Sequence, residues 1–329
     1  MQRRHFITTS TALAALGTFG SAGSLAQGSA TSYPSRPVKI AVGFPAGQAT
    51  DLIARVLTDR LTASMNQPFL VENRPGQGGS LALGYLAQQA ADGYNIAFAN
   101  TGAVLTNQFL QKKLSYKPED IQPVMLMGDI PLVLVARPGA PFQDLKGMIE
   151  FARKHPGRLT YSTPGNGTTS HLAMESIKQA AKVDLMHVPY TGSARSLTDL
   201  IAGNVDVSFD TITTVQPFID AKKLKALAVG TEQRITSLGN VPTLAETGYT
   251  DLIGSVWIGA FAPRGTPKAV VDQLESTITA IVQEPATRAR LLTVGFFPRL
   301  LNATAFEKML REDAPKVQQI VKISGASVD

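Results

Sequence analysis

The chain has 329 residues, 44% hydrophobic and 17% charged, which suits a globular protein with more than one domain and excludes fibrous or low-complexity classes. Its formal charge of +6, from 31 basic and 25 acidic residues, is spread without a basic run or interleaved aromatics, so nucleic-acid binding has no support. There are no cysteines, which excludes disulfides and a lipid anchor on an N-terminal cysteine.

Residues 1–26 read as an export leader. Arg3 and Arg4 precede a modestly apolar stretch over residues 6–19, and Ser24, Leu25 and Ala26 close it with small residues at the outer positions. Arg3-Arg4-His5-Phe6-Ile7 resembles a twin-arginine signal, and the threonines and serines of the stretch fit that route. The alternative is a general secretory leader whose arginines form its basic end. Cleavage near Ala26 leaves 29 basic against 25 acidic residues, or +4, a balance that helps to draw in anions. No mature stretch is apolar and long enough to span a bilayer, so the expected location is the periplasm.

Along the mature chain, strand-like apolar runs alternate with helix-period stretches. Strands are predicted at residues 38–42, 69–72, 95–99, 124–127, 132–136, 159–161, 185–188, 205–209, 224–229 and 255–261. Helices are predicted at residues 51–62, with Leu52, Ile53, Val56, Leu57 and Leu61 on one face, and at 170–181, with Leu172, Ala173, Ile177 and Ala181. Two more are predicted at 267–282, with Thr266 as N-cap and Pro267 in the first helical position, and at 303–322 after Asn302 as cap. This alternation predicts an α/β fold with mainly parallel sheets. Residues 131–138 and 257–267 read as crossings between two domains, one combining 33–130 with 262–329 and the other spanning 131–261.

Two glycine-bearing turns stand between a strand and a helix. The first runs Gly43-Phe44-Pro45-Ala46-Gly47-Gln48-Ala49-Thr50-Asp51; the second runs Ser162-Thr163-Pro164-Gly165-Asn166-Gly167-Thr168-Thr169-Ser170-His171. A helix start has unpaired N–H groups and a partial positive charge, so it attracts anions. One turn falls in each predicted domain, and two such ends facing across a cleft would clamp a small carboxylate. This points to a binding protein that closes on an organic acid rather than to an enzyme.

Each candidate contact has a plainer reading beside it. Phe44 and Pro45 line the first turn, or the ring merely closes the strand end. Ala46, Gly47 and Gln48 bring backbone N–H groups close to an anion. Asp51 meets a ligand amino or hydroxyl group, or complements the helix dipole. Thr163, Gly165, Asn166, Gly167, Thr168 and Thr169 supply neutral donors, or Thr169 or Ser170 simply caps the helix. Tyr190 floors the cleft or packs in the core. Asp210, after a strand, and Thr101, from the first domain, reach the cleft from opposite sides. His171 reads as a structural hydrogen-bonder; with Glu175 it has metal-pair spacing but no third ligand, so neither a metal nor a cofactor is expected. Gly76-Gln77-Gly78-Gly79-Ser80 mimics a phosphate loop without its lysine. No Gly-x-Ser-x-Gly elbow or paired-carboxylate arrangement supports catalysis. The rival readings are a periplasmic enzyme and a signalling receptor, each acting on a carboxylate.

Several further motifs carry a resemblance to one family. They are Pro34-Ser35-Arg36-Pro37-Val38-Lys39-Ile40, the turn Phe44-Pro45-Ala46-Gly47 with Asp51, Val71-Glu72-Asn73-Arg74-Pro75-Gly76-Gln77-Gly78-Gly79 and Ala91-Asp92-Gly93-Tyr94. His187-Val188-Pro189-Tyr190-Thr191-Gly192-Ser193-Ala194, Leu200-Ile201-Ala202-Gly203-Asn204-Val205-Asp206-Val207 and Val241-Pro242-Thr243-Leu244-Ala245-Glu246-Thr247-Gly248 complete the set. The chain resembles the periplasmic solute-binding receptors of tripartite tricarboxylate transporters, the Bug proteins, over essentially the whole mature length. The resemblance implies a two-lobed type II periplasmic-binding fold and a small carboxylic acid held between the lobes, largely by backbone groups and bridging waters. It also implies delivery to a membrane permease of one large and one small subunit; the receptor itself is expected to be a monomer. Gln48 departs from the family, which usually has a second glycine there.

Overall fold

One strand, β4 (Ile121–Ala136), organises the sheet. Residues 121–131 pair antiparallel with β9 (Ser255–Pro263) and, over residues 125–129, with β10 (Phe297–Asn302). Residues 132–136 pair instead with β7 (Val207–Thr211) and β8 (Lys225–Val229). Pro131 stands at the change of partners. The other proline of β4, Pro123, sits beside a register shift, where a ladder tolerates the missing N–H. The computed structural model describes residues 33–325 except 251 and 253; the predicted leader lies outside the described residues.

Among the described residues ten strands run in the order β2 (Phe69–Asn73), β1 (Val38–Val42), β3 (Asn95–Asn100), β9, β4, β7, β5 (Thr160–Thr163) and β6 (Met186–Pro189), with β8 and β10 branching from β4. On one side β1 pairs in parallel with β2 and β3. On the other, β5 pairs in parallel with β6 and β7. The expectation of mainly parallel sheets is corrected at the centre: β9 runs antiparallel to β3 and β4, and β4 runs antiparallel to β7, β8 and β10. Apolar runs such as those of β4 and β9 are buried in either sense of pairing, so the run alone does not give direction.

Helices alternate with the strands. They are α1 (Ala49–Met65), α2 (Ser80–Ala87), the short α3 (Asn107–Leu110), α4 (Leu145–Lys154), α5 (Thr169–Ala181), α6 (Ser193–Ala202) and α7 (Ile212–Asp220). After β9 come α8 (Lys268–Gln283) and α9 (Pro285–Thr293), and α10 (Ala303–Ser324) ends the described chain. The apolar stripe of α1 buries Ile53, Leu57 and Leu61 completely, as its spacing predicts. Asn302 caps α10 by accepting the Ala305 N–H at 2.8 Å. Thr266 does not cap α8. Its hydroxyl donates to the Pro263 carbonyl, Pro267 occupies the cap position, and the helix starts one residue later than expected.

The strand β10 has no alternation to announce it: it reads Phe-Pro-Arg-Leu-Leu-Asn with every residue partly or fully exposed. The two predicted runs at 124–127 and 132–136 are parts of one strand, continuous through Gly128 and Pro131.

Phe306 fastens α10 to the sheet. Its ring is fully buried against Trp257 at 5.2 Å and Phe261 at 5.4 Å, edge-on to the indole. It lies so close to Gly259 that a Cβ there would stand 2.4 Å from Cε1. Truncating Phe306→Ala therefore empties a closed site with no side chain able to fill it. The expected cost is about 3–5 kcal/mol in urea unfolding with an unchanged m value.

Candidate ligand-binding site

Four helix starts meet at one cavity of about 110 Å³. Ala49 and Thr50 belong to α1, Thr169 and Ser170 to α5, Ser193 to α6, and Thr211 and Thr214 to the β7–α7 junction. In a strand-to-helix connection the helix begins at the carboxyl end of its strand. Strands β5, β6 and β7 are parallel, so α5, α6 and α7 present their N-termini at one edge; β1 and α1 supply the fourth. The starts of α1, α6 and α7 have no side-chain cap, which leaves N–H groups free for a ligand.

In the first turn, Phe44 and Gln48 line the cavity, whereas Pro45, Ala46 and Gly47 do not. The Gly47 N–H is directed at Asp51 Oδ2 at 2.8 Å. Asp51 is itself 1% exposed and lies off the cavity. Its carboxylate also accepts from Arg55 Nε at 2.9 Å and Asn73 Nδ2 at 2.8 Å. Burial alone would raise its pKa, but these three donors outweigh burial and hold the carboxyl below its usual range. Asn73 donates as well to the Phe44 carbonyl at 3.0 Å, so Asp51 and Asn73 together set the shape of the turn. Gly47 has φ +82°, a left-handed conformation that suits glycine.

In the second turn, Asn166, Gly167, Thr168 and Thr169 line the cavity. Thr163 and Gly165 stand behind them: the Thr163 hydroxyl donates to the Gly165 carbonyl at 3.2 Å and contacts His187 Nε2 at 2.7 Å. The cap of α5 is Thr168, whose Oγ1 accepts the His171 N–H at 3.3 Å and donates to the Gly165 carbonyl at 2.9 Å. The Gly167 N–H donates to His171 Nδ1 at 3.1 Å. That bond needs a neutral imidazole, and burial lowers the His171 pKa in that direction. His171 stacks on His187 at 4.0 Å, and His187 stacks on Tyr161 at 4.7 Å. Burial, then the neighbouring His171 and Lys178, bring the His187 pKa down to about 3. Both rings thus stay uncharged beneath the turn.

Thr101 and Tyr190 do not line the cavity. Thr101 Oγ1 accepts the Trp257 N–H at 3.0 Å, while its neighbours Asn100 and Gly102 reach the wall. The Tyr190 hydroxyl donates to Asp199 Oδ2 at 2.6 Å and so braces α6. Asp210 does line the cavity, at the end of β7.

Other wall residues were not singled out by sequence. Ile130 and Val256 give apolar patches from β4 and β9, and nothing in a strand's sequence says which of its residues will meet a cleft. Asn107 donates to the carbonyls of Gln77 and Gly78 at 3.0 and 3.1 Å, and so holds Gly78 against the cavity. Ser193 and Thr214 had a usable signal, since each follows a strand at a helix start. The Gln48 amide reaches α6: a Cβ added to Gly192 would lie 3.3 Å from Gln48 Nε2. Among the described residues no lysine, arginine or histidine lines this cavity, and Asp210 is its one ionisable side chain. No cluster of three or more potential metal ligands occurs among them, nor does any helix long and apolar enough to cross a membrane.

Such a cavity offers an anion backbone amides and hydroxyls in place of a fixed cation, and comparison with known proteins agrees with that chemistry. Residues 53–326 match the family model described as tripartite tricarboxylate transporter family receptor. Protein BugT of Bordetella pertussis is 32% identical over 319 residues, covering 96% of this chain and 98% of its own. The solved structure of R. palustris Rpa4515 with adipate is 30% identical, with a TM-score of 0.84 over 90% of this chain and 99% of the other. The periplasmic binding protein BugD is 31% identical, with a TM-score of 0.79 and the same coverage, 90% and 99%. The fold is accordingly the two-lobed α/β fold of the periplasmic binding proteins, with the cleft between its lobes. The chain belongs to the tripartite tricarboxylate transporter receptor family, the family of the Bug proteins.

Proposed function

We propose that this protein is a periplasmic receptor that captures a small carboxylic acid between its lobes and delivers it to a membrane permease with large and small subunits. The observation that carries this reading is the meeting of four helix starts at a small cavity without a lysine, arginine or histidine in its wall. Partial positive charge from the helix ends and free N–H groups attract a carboxylate, and neutral donors release it again more readily than a desolvated cation would. The adipate in the related Rpa4515 structure supports the ligand class. Gln48, Asn166, Thr168 and Thr169, with the amides that begin α1 and α5, are the groups we assign to the acid; Phe44 meets its apolar part.

The lobes in this reading exchange at Pro131, where β4 changes partners, and again ahead of β9. We assign strand β9, which pairs along its length with β3 and residues 121–131, to the first lobe. The Gln48 amide lies near Gly192 across the cavity, so that a Cβ added there would stand 3.3 Å from Nε2, and closure on a ligand brings such groups closer. The receptor works as a monomer and has no catalytic role; its cargo must favour the closed form for binding to drive closure.

Three outcomes are expected. In a thermal-shift screen over an organic-acid panel, one acid class raises the melting temperature, and the methyl esters of the same acids do not; at 100 times Kd the gain is about 2.7 kcal/mol. If no acid shifts the transition, the proposed ligand class fails. Gly167 has φ +72°, and a branched side chain there twists the second turn, so Gly167→Val should weaken calorimetric binding at least tenfold with an unchanged far-UV circular dichroism spectrum. Export should stop when Arg3 and Arg4 are replaced by lysines; normal appearance in the periplasm would assign the general secretory route instead.

A further inference from the structure

Asp210 is 1% exposed and stands in the wall of the cavity. Only one of its oxygens is occupied. Oδ1 accepts the Thr211 N–H at 2.7 Å and the Thr214 hydroxyl at 3.1 Å. Oδ2 is buried and has no hydrogen-bond partner. Burial drives the carboxyl pKa upward, while Ser193, Thr211 and Thr214 favour the ionised form, yet none of them bonds to Oδ2. A buried acceptor without a donor is costly, and native proteins seldom leave one.

Asp210 is the one ionisable side chain in an otherwise neutral wall. Helix amides satisfy the negative end of a cargo, but an amide wall offers no reason for a carboxylate to be placed there. A cargo consisting of carboxylates and hydrocarbon alone has no donor to offer Oδ2 and leaves it unpaired. A cargo with a hydroxyl or amine at the same place fills the empty acceptor. A site built around a buried acceptor rejects analogues that lack the matching donor far more strongly than an apolar pocket rejects a missing methylene.

We propose that Asp210 sets the specificity of this cavity by selecting acids that carry, besides the anchoring carboxylate, an O–H or N–H donor that hydrogen-bonds to Oδ2. The proposal rests on the carboxylate-receptor reading and narrows it to hydroxy- and amino-acids.

The test is calorimetric titration of matched acids: succinate against malate and aspartate, adipate against 2-hydroxyadipate and 2-aminoadipate, propionate against lactate and alanine. In at least one of these series, a donor-bearing acid should bind the native protein tenfold or more tighter than its plain counterpart. Asp210→Asn keeps an oxygen for Thr211 and Thr214 and turns the empty acceptor into an N–H₂ donor, so the preference should fall to within about twofold or reverse. A melting temperature within a few degrees of the native protein shows that the variant is folded, and the titrations of the native protein decide the matter even where it is not. Equal or tighter binding of the plain acids by the native protein overturns the proposal and leaves the carboxylate reading standing. A donor preference that survives in the folded variant also overturns it, because another group then supplies the selection. Binding of no acid in any series removes the carboxylate reading and this proposal with it.

Discussion

A helix in a strand–helix unit must begin where its strand ends, and this constraint places the chemistry of the molecule. Three parallel neighbours, β5, β6 and β7, carry α5, α6 and α7 to one edge, and β1 carries α1 to the facing one. Strand β4 lets these two sets of parallel strands share a sheet by running antiparallel to what flanks it. The cavity is where the helix starts of the two sets face each other. Amides left over from helix geometry form the surface proposed to hold the carboxylate, in which no lysine, arginine or histidine takes part.

The second layer of the site consists of groups that hold the turns in shape. Asp51, bonded by Gly47, Arg55 and Asn73, fixes the first turn; His171, accepting from Gly167, fixes the second. Each of these side chains satisfies a backbone N–H that would otherwise compete for position at the cavity. The two solutions differ chemically. A solvent-facing arginine helps to keep Asp51 charged, whereas the stack of buried His171 and Tyr161 with half-buried His187 keeps the second support neutral. Neutral support beneath the second turn adds no fixed charge next to the cavity.

Much of the architecture was legible in sequence. The periodicities gave α1, α5 and α10 closely, and the apolar runs gave every described strand except β10. What misled was direction and continuity: β4 reads as two runs because Gly128 and Pro131 interrupt its pattern, and its antiparallel pairing has no local sign. At the candidate site, a turn motif marks a helix start but not which of its residues face the cavity. Phe44, Gln48, Asn166, Gly167, Thr168, Thr169 and Asp210 line the cavity, while Asp51, Thr101, Thr163, Gly165 and Tyr190 are occupied in supporting bonds.

The sequence by itself determined the strand–turn–helix units, the absence of disulfides and the two glycine-bearing turns, because these depend on spacing, residue type and backbone freedom within a few positions. Tertiary structure alone decided that four helix starts share one cavity, that Ile130 and Val256 complete its wall, that Gln48 reaches Gly192, and that one oxygen of Asp210 is left without a partner. Those facts depend on contacts between residues far apart in the chain, and a buried acceptor is known to be empty only after every donor around it has been placed.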